Sequence, residues 1–150
     1  MVAKNDCSYL ITGRYDVRVD ASCRVRIPSG WYAAMGKPAH VRLVSDPQER
    51  CLDLVAPDVF DEWLSQAKCE SGQRELAEEF ERESVLLRVG AGRRITLPSH
   101  LREHAGIRDT CALLGVARMI KLWNPNALMR ETILDSPLLN DILSELEKKS

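Results

Sequence analysis

From Asp16 the chain alternates with period two. Val17 and Val19 fall on one side, and Asp16, Arg18 and Asp20 on the other, the pattern of a half-buried strand. Residues 7–12 predict an earlier strand ended by Gly13. After the small-residue turn Ala21-Ser22-Cys23, Val25 and Ile27 point one way and Arg24 and Arg26 the other. The strand rise sets those two guanidinium groups about 7 Å apart on one solvent face. Pro28 ends the strand and opens a short helix through Trp31, Tyr32 and Met35, with Gly36 as its C-cap. Residues 40–46 and 51–55 predict a hairpin around Asp46-Pro47-Gln48-Glu49-Arg50. A helix follows over 57–68, with Val59, Phe60, Trp63 and Leu64 at helical spacing. A second helix, capped by Ser71, runs to about residue 82 and presents Leu76, Ala77 and Phe80.

The pattern then returns. Val85-Leu86-Leu87 reads as a strand, Gly90-Ala91-Gly92 as a turn, and 93–97 as a second strand. Pro98 and Ser99 open a helix that Gly106 closes. Residues 111–114 and 119–123 form a hairpin turned by Gly115-Val116-Ala117-Arg118. Asn124 caps a helix with Pro125 in its first position. Leu138, Leu139, Ile142, Leu143 and Leu146 then mark an amphipathic helix.

Arg24 to Arg93 is 69 positions, Pro28 to Pro98 is 70, and Pro57 to Pro125 is 68. Three offsets this close imply a duplication. The period is too long for a solenoid, so two copies of one small module are expected. The division is 7–70 for the first repeat with its connector helix, 71–135 for the second repeat preceded by a helix, and 136–150 for an amphipathic tail. Together they make one compact α+β unit of 150 residues.

Charge sharpens this reading. The net charge of −1 gives no bulk pull toward nucleic acid. Residues 51–82 carry 3 basic and 9 acidic side chains, whereas residues 88–121 carry 7 basic and 2 acidic. Basic groups therefore track the repeats and acidic ones the connector. A local basic face still binds phosphates, because screening confines its field to about 10 Å. The five cysteines are scattered without a CxxC, and no apolar run approaches 18 residues. A reduced, cytoplasmic protein without a membrane span or a leader is expected.

Arginines recurring beside two strand turns point to recognition of phosphate or of guanine edges. A guanidinium is always charged and grips with two bonds at once. A two-stranded ribbon is narrow enough for a major groove. Asp20, four residues before Arg24, is placed to accept from turn amides or from an arginine and so fix its aim.

The motif residues resemble the MraZ family. These are Asp20, Arg24 and Pro28 after Gly13 in the first repeat, and Gly90-Ala91-Gly92-Arg93, Leu101-Arg102, His104-Ala105-Gly106-Ile107 and Leu122-Trp123 in the second. The resemblance covers about residues 8–135. It implies two fused AbrB/SpoVT-like swapped-hairpin repeats forming a small double-ψ-type β core. It also implies a nucleoid-associated repressor of the division and cell-wall gene cluster, bound to tandem repeats of double-stranded promoter DNA and assembled as a head-to-tail ring. Its DxxxR arginine maps to Arg24 and, by motif spacing, to Arg93.

The candidate DNA-binding set is Arg24, Arg26, Arg93, Arg94, Arg14 and Arg18, with Asp20, Gly90 and Gly92 supporting the turns. Three departures from the family stand out: Cys23 for glycine, Ser22 for a basic residue, and Val89 for the second aspartate. One extra residue lies between Arg93 and Pro98, so Arg94 rivals Arg93 for the outward position. Two to four phosphates per chain give a salt slope of about −2 to −4. Such weak binding requires several subunits on tandem sites, whose avidity adds on the order of 10²-fold.

Other chemistry is thinner. His100 and His104 lie one helical turn apart with Cys111 downstream, but no fourth zinc ligand is evident. Cys23 beside Arg24 is a candidate redox thiol or a plain exposed one. No nucleophile triad, phosphate loop or paired-carboxylate signature is present, so no enzyme, cofactor, resident metal or small-molecule substrate is expected. The second functional class is a protein-interaction module, antitoxin-like or scaffold, using the acidic connector and C-terminal helix.

Overall fold

A computed structural model describes residues 9–46, 48–70 and 72–134. The expected lead-in, the cap at Ser71 and the amphipathic segment at 138–146 lie outside the described residues. The protein is α+β. In chain order its elements are β1 (Gly13–Arg18), β2 (Arg24–Arg26), α1 (Ser29–Ala34), β3 (His40–Ser45), β4 (Leu52–Val55), α2 (Pro57–Cys69), α3 (Arg74–Glu83), β5 (Val85–Arg88), β6 (Arg94–Thr96), α4 (Ser99–Ala105), β7 (Thr110–Val116), β8 (Met119–Trp123) and α5 (Pro125–Leu134).

Six strands form one antiparallel sheet in the order β1-β7-β8-β4-β3-β5, and β2 and β6 pair as a separate ribbon. The order reads the same from either end when β1, β3 and β4 are exchanged for β5, β7 and β8. The sheet is therefore pseudo-two-fold, with its axis between β4 and β8. The first half's β1 pairs with the second half's β7, and the second half's β5 pairs with the first half's β3. Each half lends an edge strand to the other.

Alternation decides the faces. Val17, Leu43, Leu54, Leu87, Leu113 and Leu122 belong to the main core on one face, where the ribbon adds Val25, Ile27, Ile95 and Leu97. Trp31 and Met35 of α1 and Leu101 and Ala105 of α4 close this core. On the other face, Leu128 of α5 packs with Ala112, Trp123 and Cys51. Asn124 caps α5 by accepting from Asn126 N at 2.9 Å. No helix among the described residues is long and apolar enough to cross a membrane.

Two sequence expectations change. Residues 9–12 are not a strand; Gly13, at φ +100°, begins β1 rather than ending an earlier strand. Ile11 instead tucks under the β7–β8 turn, its N–H donating to the Ala117 carbonyl at 2.7 Å. A Cβ on Gly115 would meet the Ile11 carbonyl oxygen at 2.5 Å, so the backbones approach only across a glycine. The β7–β8 hairpin is also tighter than expected. Val116 pairs with Met119, which leaves a two-residue turn with Ala117 at φ +56°.

Candidate nucleic-acid interface

The ribbon is the meeting place of the two halves. Arg24 stands opposite Thr96, Val25 opposite Ile95, and Arg26 opposite Arg94. Val25 and Ile95 are buried, so period two sends Arg24, Arg26, Arg94 and Thr96 to the outer face. The backbone bonds are symmetric. Ile27 N donates to the Arg93 carbonyl and Leu97 N to the Cys23 carbonyl, each at 2.9 Å. Asp20 N donates to the Arg24 carbonyl at 3.1 Å, and Gly90 N to the Arg94 carbonyl at 2.8 Å.

These bonds correct one assignment. Cys23 corresponds to Arg93, both at φ +61°, and Arg24 corresponds to Arg94. Motif spacing alone had paired Arg24 with Arg93. Matched this way the two copies run at a constant offset of 70, from Asp20 and Gly90 to Pro28 and Pro98, and no extra residue remains. The second turn differs in taking a left-handed conformation at Gly92, φ +71°, as well as at Arg93, φ +61°. Likewise it is Gly90, not Val89, that stands where Asp20 stands. The Arg93 side chain turns back, its Nε donating to the Ile27 carbonyl at 2.8 Å.

The first turn is held by a carboxylate. Asp20 Oδ1 accepts from Ser22 N and Arg24 N, each at 2.9 Å, and Oδ2 accepts from Arg24 Nε at 2.9 Å. The backbone N–H of Arg24, aided by Ser22 N–H and the guanidinium, holds this carboxyl below its ordinary value. Arg24 is thereby aimed before any ligand arrives. Arg14 and Arg18 are not brought to this face. They leave β1 on the side opposite Val17, and Arg14 pairs with Asp16 at 3.0 Å.

Other predicted groups disperse. Cys111 is buried in the core while His100 and His104 are exposed on α4, so no zinc set forms from them. Cys23 is half-buried and unpaired as a thiol. Thr96 shares the outer face with Arg94, as follows when Ile95 and Leu97 set the register of the strand. Sequence reasoning missed a buried ionic cluster between β4 and β8, because cross-strand pairing of Asp53 with Lys121 spans 68 positions. Lys121 Nζ reaches Asp46 at 2.8 Å, Glu49 at 3.1 Å and Asp53 at 3.3 Å. Burial pushes Asp53 up to about 7, and hydrogen bonds from Asp53, Lys121 and the Gln48 and Glu49 amides bring Asp46 down to about 2 despite its burial. Asp46, Glu49 and Cys51 place ligand atoms within 4.8 Å of one another. The ammonium already occupies the carboxylates and burial raises the Cys51 thiol, so the cluster reads as an internal salt bridge that ties the β3–β4 loop to β8.

No family model matches the chain. Individual relatives do. A protein of Bifidobacterium longum named transcriptional regulator MraZ is 26% identical over 148 residues, covering 92% of this chain and 95% of that one. The protein of the same name from Xanthomonas campestris is 26% identical over 144 residues, 89% of this chain and 97% of its own. That from Rhodospirillum rubrum is 27% identical over 129 residues, 77% and 80%. These matches support membership of the MraZ family. The solution structure of PHS018 from Pyrococcus horikoshii aligns with 76% of this chain and 98% of its own at a TM-score of 0.34 and 15% identity, too slight a likeness to bear on the fold. The aspartate–arginine couple is present in the first turn alone, and the second turn reaches the same backbone frame through glycine.

Proposed function

We propose that the protein is a DNA-binding transcriptional regulator of the MraZ type, acting on tandem repeats in the promoter of its own operon in the division and cell-wall gene cluster. The observation that carries this reading is the ribbon. Three arginines, drawn from both halves of the chain, share one outer face over a rigid apolar underside. The names of the relatives support a regulator, and regulators of this kind do not need catalysis. The exchanged edge strands support two swapped-hairpin repeats fused in one chain. Arg24, Arg26 and Arg94 supply the DNA contacts. Asp20, Gly90 and Gly92 shape the turns, and Arg93 ties the second turn to the first strand.

One ribbon engages few phosphates, so affinity at a promoter comes from several copies on tandem sites. A head-to-tail contact that closes would array the ribbons around a ring. Native mass spectrometry at micromolar concentration tests this: a closed oligomer is expected, and a stable monomer counts against it. The DNA reading itself is tested by fluorescence anisotropy with DNA from just upstream of its gene, against scrambled DNA, across a salt series. Preferential binding with a slope near −2 to −4 per chain is expected. Equal weak binding to both would refute sequence recognition.

A second reading has one observation behind it. The acidic α2–α3 hairpin leaves a cavity of about 270 Å³ against the sheet, lined by Phe60, Trp63, Leu76 and Phe80 among others. A protein partner seated there is the alternative, and a pull-down would identify it if DNA binding fails.

A further inference from the structure

Arg26 and Arg94 stand directly opposite one another across the ribbon, one from each half of the chain. Both reach over the second turn. A Cβ at Gly92 would lie 3.3 Å from Arg94 Nη1 and 3.7 Å from Arg26 Nη2. Among the described residues neither forms an ion pair. Like charges directly opposite in a strand pair are destabilising. The sequence had cheaper solutions on hand: at the pseudo-symmetric position the pair is Thr96 with Arg24, and Arg24 is already neutralised by Asp20 at 2.9 Å.

We propose that Arg26 and Arg94 form a two-arginine clamp for a single backbone phosphate of the bound DNA. This rests on the DNA-binding reading and adds to it a defined subsite. One phosphodiester placed between two guanidinium forks turns a repulsive pair into two charge-assisted contacts. Gly92 keeps the floor of the clamp open, because any side chain there would stand among the guanidinium nitrogens. The clamp has no pseudo-symmetric mate. One end of the ribbon therefore carries two unneutralised cations and the other a threonine and a paired arginine. The ribbon gains a direction, which fixes the orientation of each subunit on a direct repeat.

The test is a double-mutant cycle with two readouts on the full chain. The salt slope of DNA binding is measured for wild type, Arg24→Ala, Arg26→Ala, Arg94→Ala and Arg26→Ala/Arg94→Ala. The arginine Nε–H resonances are followed by NMR during titration with inorganic phosphate, without DNA. A single clamped phosphate is worth a slope change of about 1. The double variant is expected to lose about that one unit and each single variant less, since the remaining arginine still meets the phosphate, and phosphate is expected to shift Arg26 and Arg94 more than Arg24. A double variant that loses about two units overturns the clamp, since the arginines then hold separate phosphates. An unchanged slope in the double variant, with Arg24→Ala still impaired, overturns the clamp and leaves the DNA reading intact. Absence of wild-type DNA binding, with the Arg26 and Arg94 resonances still moved by phosphate, supports the anion clamp and refutes the DNA reading instead.

Discussion

The two turns of the ribbon reach one backbone frame by different chemistry. In the first, the Asp20 carboxylate gathers two amides and the Arg24 guanidinium. In the second, Gly90 offers only its backbone, Gly92 and Arg93 take left-handed conformations, and Arg93 latches to the Ile27 carbonyl. Both give the Arg24 and Arg94 carbonyls the same partner, four residues earlier. The first turn spends its charge on aiming an arginine. The second leaves Arg94 unneutralised beside Arg26. A duplicated module can thus keep its geometry while its two copies diverge in what they present to a ligand.

The largest effect that would break this comparison is expected from Asp20→Ala. Arg24 loses its aim, and DNA affinity measured by anisotropy should fall on the order of tenfold, the scale of one charge-assisted contact. An unchanged affinity would mean that Arg24 needs no positioning. Next comes Gly92→Ala. At φ +71° the substitution should cost about 1 kcal/mol and lower the melting temperature by about 3 °C. Arg93→Ala removes a hydrogen bond rather than a ligand contact. Thermal stability should drop by about 1 kcal/mol while DNA affinity moves less than about twofold; the reverse pattern would return Arg93 to the DNA face. Gly90→Asp copies the first turn into the second. A Cβ there meets only the Arg94 carbonyl oxygen, at 3.5 Å, so the side chain fits. By pairing with Arg94 it should weaken DNA binding about threefold, the scale of an exposed ion pair.

Acid gives the gentlest discrimination. Asp20 titrates below its ordinary value of 3.8 in the folded chain, so its contribution is present above that pH and is lost as pH falls through the lowered value. Hydrogen exchange at Ser22 and Arg24 should quicken on acidification, relative to base rates, before that at Gly90 and Arg94. Simultaneous loosening would mean that the carboxylate does not hold the first turn.

Much of this was legible along the chain. Period two placed Val25 and Ile27 inside and Arg24 and Arg26 outside, because strand side chains alternate without exception at this length. Helical spacing marked α2 through Phe60 and Trp63, and proline with glycine bounded α4. The register of the second turn was not legible. Matched at Arg93 the second copy has one residue too many before Pro98 and matched at Arg94 it has none, and the turn hydrogen bonds that choose between the two are not written in the hydrophobic pattern. Spacing therefore favoured Arg93 where hydrogen bonding places Arg94. The exchange of β1 and β5 was hidden for another reason: a strand's own pattern states which face is apolar and not which strand lies beside it. The Asp53–Lys121 contact was out of reach on the same ground, since it depends on β4 meeting β8.

The central claim is that the ribbon, and not the acidic connector, meets DNA. Hydrogen–deuterium exchange with and without promoter DNA tests it most directly. Protection is expected in peptides covering residues 20–27 and 90–97, with little change over 57–83. Protection confined to 57–83, with the ribbon unaffected, would contradict the account and move the interface to the α2–α3 hairpin.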